Sequence, residues 1–143
     1  MGVPHRQLFY EYVSMYRPFL NELNEQLAPF RIHLSDWKIL YFILREGGNT
    51  VSAISTHFKV EKPTITKIIQ KLLELGYVEV ITGTDRRVKV IQLTDEGQEI
   101  CNQVNDTLDQ LHEYLLEDVS EEEQLLVARV LQSISQKLGV NKG

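Results

Sequence analysis

KPTITKIIQKLLELGYVEVITGTDRRVKVIQLT, residues 62–94, is the stretch that decides how this chain folds. Its first half repeats Ile65, Ile68, Ile69, Leu72 and Leu73 at the spacing of one helical face. Pro63 falls in the opening turn, where proline is favoured, and Gly76 follows the last apolar residue as a left-handed C-cap. Lys62, Thr64, Thr66, Lys67, Gln70 and Lys71 are left outward or on the flanks. The second half alternates instead. Segments 77–81 and 88–93 read as two strands, and Thr82-Gly83-Thr84-Asp85-Arg86-Arg87 reads as the loop of a hairpin.

Upstream, Thr50 caps a short helix from Val51 to Phe58, and Lys59-Val60-Glu61 is a three-residue break before the helix of Pro63. Two short helices on a tight turn make a helix-turn-helix, and a β-ribbon directly after it makes the unit winged. Such a unit suits duplex DNA. The second helix enters a major groove roughly 12 Å wide while the first braces it across the backbone. The expected reading helix offers Thr64, Thr66 and Gln70 to base edges, and Lys62, Lys67 and Lys71 to phosphates. The wing offers Asp85, Arg86, Arg87 and Lys89, with an arginine for the minor groove and Asp85 to hold it in shape.

Around this centre the pattern is helical. From Arg6 to Ala28 apolar residues recur at helical spacing, with Pro18 inside the run expected to kink or split it. Ser35 is the expected N-cap of a helix with Trp37, Leu40, Ile43 and Leu44 inward, stopped by Gly47-Gly48-Asn49. Thr94 caps a long helix to about Asp118, and Ser120 with Glu123 forms a capping box for a last helix reaching Leu138. The fold class is therefore mainly α with a small β-hairpin. A winged helix-turn-helix DNA-binding region at 34–93 is joined to a helical dimerisation region built from both termini, 1–33 and 94–143.

A chain of 143 residues buries a real core in one domain. The net charge of −5 argues against a nucleic-acid partner only until it is divided along the chain. Between Lys59 and Leu93 there are seven basic residues against four acidic ones, whereas Asp95 to Glu123 holds eleven acidic residues and no Lys or Arg. Phosphates respond to the local face, because salt screens fields beyond roughly 10 Å. The chain reads as a basic centre on an acidic scaffold. No apolar run is long enough to span a membrane, no export signal is visible, and a single cysteine fits a reducing compartment. A cytoplasmic location without a membrane partner is expected.

In the long helix, Cys101, Val104, Leu108, Leu111 and Leu115 follow a heptad-like spacing that needs a partner. The first or last helix of the same chain would serve. The first and last helices, however, carry more apolar residues than one protomer would hide, which favours an intertwined homodimer. Cys101 lies in that seam beside an acidic stretch, so it is expected to be a buried apolar residue rather than a redox sensor.

The string Asp85-Arg86-Arg87-Val88-Lys89-Val90-Ile91-Gln92-Leu93-Thr94 resembles the D-x-R-x5-L-T wing signature of the MarR family of bacterial transcription regulators. Leu34 to Leu40 is similar to that family's entry to its second helix, and Lys62 to Lys67 with Leu72 to Gly76 is similar to its recognition helix. The resemblance implies a triangular homodimer that binds a palindromic operator, usually as a repressor released by a small ligand or an oxidant. The family's peroxide-sensing branch carries its cysteine near the N-terminus, where this chain has none. The resemblance also implies an effector pocket between the winged unit and the dimer scaffold, for which Tyr12, Tyr16, Arg17, His33 and Trp37 are candidates.

Competing chemistry finds little support. His5, His33, His57 and His112 are scattered, with no metal-ligand spacing, no glycine-rich phosphate loop and no nucleophile beside a base. No catalysis, metal or cofactor is expected. The alternative is a winged-helix module for protein–protein contact, which would not need the basic residues this one keeps.

Overall fold

The computed structural model describes residues 2–140, so Met1 and the last three residues of the 94–143 region lie outside it. The element order is α1 (Pro4–Leu27), α2 (Leu34–Glu46), α3 (Val51–Phe58), α4 (Lys62–Glu74), β1 (Val78–Thr82), β2 (Lys89–Leu93), α5 (Asp95–Leu115) and α6 (Glu121–Lys137), with a single 3-10 turn at Ala28–Phe30 after α1. The architecture is mainly helical with one antiparallel hairpin, as the periodicities predict.

Several boundaries differ from the sequence reading, each for a local reason. α1 begins at Pro4 and runs unbroken through Pro18. The carbonyl that Pro18 leaves without a helical donor belongs to Ser14, which is exposed and open to water, so the helix continues. Ser35 is not the N-cap of α2. His33 is, in an extended conformation, with its backbone N–H donating to the Asp36 carboxylate at 2.8 Å. Leu34 N–H donates to the Asn24 side-chain oxygen at 2.8 Å, which ties the start of α2 back to α1. α5 stops at Leu115 rather than near Asp118.

The other caps form as expected. Thr50 accepts from Ala53 N–H, and Ser120 forms a reciprocal box with Glu123. Gly76 takes a φ of 82°, and Tyr77 N–H closes the turn onto Leu72 O at 3.0 Å. Thr94 does two jobs: its hydroxyl oxygen accepts from Gly97 N–H at 2.9 Å and its hydroxyl donates to Gly76 O at 2.6 Å. That residue locks the start of α5 to the end of α4.

The hairpin pairs Val78 with Leu93 and Thr82 with Lys89. A further rung extends it. Asn49, in the α2–α3 loop, exchanges two backbone hydrogen bonds with Ile91, at 3.0 and 2.7 Å. The approach requires Gly48, since a Cβ there would sit 2.5 Å from Val90 Cγ1. The wing is thus anchored on both sides of β2.

Leu27, Ile32, Leu40, Ile43, Ile54, Ile65, Leu72, Cys101 and Val104 are fully buried and bind α1, α2, α3, α4 and α5 into one core. The α5 seam is filled within this chain, the same-chain alternative that its heptad-like spacing left open. Cys101, Val104, Leu108 and Leu111 are buried within this chain, where α5 packs against α1, α2 and β2; only Leu115 stays exposed. The apolar surface left uncovered lies elsewhere. Leu8, Phe9, Tyr12, Val13, Met15 and Tyr16 of α1 are exposed, and so are Leu125, Leu126, Val127 and Leu131 of α6. No described residue of α6 is buried.

Candidate nucleic-acid interface

The start of α4 is set by a hydrogen-bonded turn. Lys59 closes α3 in the left-handed region at φ 55°, its N–H donating to Ser55 O and Thr56 O. Val60 N–H bonds to Ser55 O at 3.1 Å, and the Ser55 hydroxyl returns a bond to Val60 O. Pro63 then starts α4 in its first turn.

On α4, Ile65, Ile69 and Leu72 are buried and define the inner face. Each residue turns the helix by about 100°. Lys67 therefore points almost directly away from the core, with Thr66 and Gln70 beside it and all three exposed. Lys62 is exposed at the opening turn. Thr64, also exposed, and Lys71 lie on the flank toward α2.

Lys71 is engaged inside the molecule. Its Nζ lies 2.6 Å from Asp36 Oδ2, whose side chain is only 5% exposed, and 3.3 Å from His33 Nδ1. A buried carboxylate needs a partner, because an uncompensated charge in the interior is costly. Asp36 thus serves as both the cap of α2 and the anchor of α4. Sequence reading missed both roles, because it placed the N-cap at Ser35 and so did not see Asp36 as the third residue of the helix.

In the wing, Asp85, Arg86, Arg87 and Lys89 are all exposed. Asp85 holds Arg87 rather than Arg86. Its carboxylate accepts Arg87 N–H at 3.0 Å and stands 3.5 Å from Arg87 Nε. Val88 N–H bonds to Asp85 O at 2.9 Å, which tightens the loop below the arginines. An ion pair this exposed contributes little stability, so it shapes the loop rather than neutralising it. Below, Gln92 donates across the strands to Glu79 at 2.8 Å.

Behind α4 lies a cavity of about 600 Å³ between α1, α2, α3 and α4. Leu20, Phe58 and Ile68 form its apolar wall, with His33, Lys38 and Thr64 as polar members. Of the five expected effector residues only His33 lines it. Tyr12, Tyr16 and Arg17 are exposed on α1, with the two tyrosine rings 6.0 Å apart, and Trp37 is buried with its ring 5.5 Å from Tyr41. The five do not converge on this site: Trp37 is part of the core, and Tyr12, Tyr16 and Arg17 are exposed and do not line the cavity. A second groove, of about 880 Å³, lies between α1 and α5 and is lined by Met15, Phe19, Leu111 and Leu115 among others.

Cys101 is fully buried, and burial pushes its thiol up to about 11. A thiol held protonated and out of solvent is a poor nucleophile, so the geometry opposes a redox role. Among the described residues there is no group of three or more His, Cys, Asp or Glu side chains arranged to hold a metal ion, and no helix is long and apolar enough to cross a membrane.

Known proteins share this arrangement. The MarR family model matches residues 32–88, which run from the start of α2 to the end of the wing loop. YwoH of Bacillus subtilis, an uncharacterized HTH-type transcriptional regulator, is 32% identical over 123 residues, covering 86% of this chain and 90% of its own. Among solved structures, Staphylococcus aureus MarR in complex with salicylate and kanamycin is 26% identical. It superposes with a TM-score of 0.84 over 94% of this chain and 91% of its own. Wild-type MarR from E. coli, in its apo form, is 25% identical with a TM-score of 0.74, over 94% and 98% of the two chains. The helix order, the wing string from Asp85 to Thr94 and a full-length relative at this identity agree, and the chain belongs to the MarR family of HTH-type transcriptional regulators.

Proposed function

We propose that the chain regulates transcription as a homodimer that grips a palindromic DNA operator through two winged helix-turn-helix units, acting as a repressor. In this reading residues 34–93 are the DNA-binding region, and 1–33 with 94–143 form the dimer scaffold. The observation that carries it is the outward face of α4, where Thr66, Lys67 and Gln70 are exposed, followed by a wing whose Arg86 and Arg87 are exposed. Lys67 and the wing cations meet phosphates, Thr66 and Gln70 reach base edges, and one wing arginine enters the minor groove. Homodimerisation rests on the uncovered apolar faces of α1 and α6, which a second copy would bury. Two-fold symmetry would then set the recognition helices roughly 34–36 Å apart, one turn of the duplex.

Release by a small molecule fits the cavity behind α4. A ligand filling it would push on Thr64 and Ile68 and shift the reading helix. Lys38 at its wall favours an anion with an apolar body. The Staphylococcus aureus relative was solved with salicylate, an aromatic carboxylate of that kind.

The experiment is a mobility shift on duplexes selected from a random pool by the purified protein, titrated with salt. Affinity should fall steeply as counterions are released, by about 0.9 in log–log slope for each phosphate contact. Arg86→Ala with Arg87→Ala should weaken binding and flatten that slope. The wing's exposed Val80, Ile81 and Val88 are what a protein-docking module would use instead. A salt-independent or absent DNA complex would favour that second reading.

A further inference from the structure

We propose that Lys59, in the turn of the helix-turn-helix, is a positioning residue that clips the carboxyl end of α6 to the DNA-reading unit and so fixes the separation of the two reading helices. Its Nζ donates to Gly139 O at 3.3 Å, joining residues eighty positions apart. The acceptor is well chosen. Gly139 lies just past the carboxyl end of α6, close to its negative dipole end, where a cation is favoured.

Both ends of the clip are tied by backbone hydrogen bonds. On one side the Lys59 backbone is held by bonds to Ser55 and Thr56, so its side chain leaves the turn in a fixed direction. On the other side Gly139, at φ 72°, donates to Gln136 O, and Val140 N–H closes onto Ser135 O at 3.0 Å. A left-handed conformation is cheapest for glycine, so a lysine at φ 55° costs backbone energy, which its backbone bonds to Ser55 and Thr56 and its side-chain bond to Gly139 together offset. The connection matters because no residue of α6 is buried in its own protomer. α6 belongs to the proposed dimer scaffold, and Lys59 belongs to the unit that would enter the groove. The clip transmits the angle of one to the other. The inference rests on the DNA-binding reading for its consequence, though not for the contact itself.

The test uses Lys59→Gly in the full chain, which relieves the backbone while removing the side chain. In the free protein, hydrogen exchange at the Gly139 and Val140 amides should accelerate several-fold, with urea stability equal to or above wild type. Unchanged exchange overturns the clip whether or not the protein binds DNA. With the selected duplex, the variant should bind about three- to fivefold more weakly, the net scale of one ordinary exposed hydrogen bond. It should also discriminate less than wild type against the same duplex carrying two base pairs inserted at its centre. Wild-type discrimination in the variant refutes the positioning role. A salt slope reduced by about one would place Lys59 on a phosphate instead, and would also refute it.

Discussion

The junction between the wing and α5 makes a prediction in which two effects of known size oppose each other. Gly97 occupies the first turn of α5, where alanine is the better helix former by about 1 kcal/mol. On propensity alone, Gly97→Ala should stabilise the chain. Packing says otherwise. A Cβ at Gly97 would stand 1.9 Å from Tyr77 O and 2.8 Å from Tyr77 C. A carbon approaches a carbonyl oxygen to about 3.3 Å, so α5 must retreat by roughly 1.4 Å. That movement pulls on the Thr94 bonds to Gly76 O and Tyr77 O, at 2.6 and 3.2 Å. Losing one or two of them costs about 1 kcal/mol each, and forced overpacking adds about 1–3 kcal/mol. The contact term wins, and the net loss is about 2 kcal/mol. Urea unfolding followed by circular dichroism, at one protomer concentration because association adds to stability, should show a midpoint lower by about 1 M. Gln98→Ala, one exposed residue further on, should stay within about 0.5 kcal/mol of wild type. A Gly97→Ala midpoint equal to or above wild type would mean α5 slides off Tyr77 freely, and the account of this junction would be wrong.

Other perturbations read other parts of the molecule. Lys71→Met strands the buried Asp36 carboxylate, and since Lys71 is itself part-exposed the cost should be about 1–2 kcal/mol. In a double-mutant cycle Asp36→Asn should recover part of it, and strictly additive losses would deny the pair. Alkaline pH should destabilise the chain through Cys101. The unfolded thiol ionises at its ordinary value while the folded one holds its proton to about 11, so stability present below that ordinary value is lost as pH rises toward 11. The Tyr77 phenol, raised first by burial and then by Glu96, acts in the same direction. Unfolding midpoints of Cys101→Ala against wild type from pH 8 to 11 check this, with parallel curves as the contrary result. Leu126→Glu and Leu131→Glu place charges on the uncovered face of α6. Sedimentation should show a dimer shifted to monomer, and an unaltered dimer would move the interface elsewhere.

Much of the fold was readable because each element announces itself locally. The five-residue apolar stripe of α4, its opening proline and Gly76 together leave little room for another reading. Thr50, Thr94 and Ser120 each cap the helix they precede. What stayed hidden depends on distance in space. Nothing in the string Gly47-Gly48-Asn49 says that Asn49 will pair with Ile91, forty-two positions away, or that Gly48 is small so that Val90 can pass. Heptad spacing in α5 says that a seam exists but not which chain fills it, and here α1, α2 and β2 fill it. The site divides in the same way. The basic residues were visible from composition, but whether each faces outward or inward depends on partners that sequence leaves unplaced.

That division bears on how an acidic chain meets an acidic polymer. Of the seven cations between Lys59 and Leu93, two are committed within the molecule: Lys71 to Asp36 and Lys59 to the end of α6. Lys62, Lys67, Arg86, Arg87 and Lys89 remain exposed. If all five meet phosphates, each protomer contributes a log–log salt slope of about −4.5, and a dimer twice that. Counting all seven would predict a steeper response by about two units per protomer. Six of the eleven acids from Asp95 to Glu123 sit on α5, two in the turn after it and three in the first turn of α6. They lie on the scaffold rather than on α4 or the wing loop, and salt screens fields beyond roughly 10 Å. These acids would repel a duplex that approached by the scaffold, so under the proposed function the same charge asymmetry would draw DNA to one face and turn the molecule the right way round before contact. Raising salt should therefore slow association more than it speeds dissociation. Stopped-flow rates that placed the salt dependence chiefly in dissociation would show that orientation plays no part.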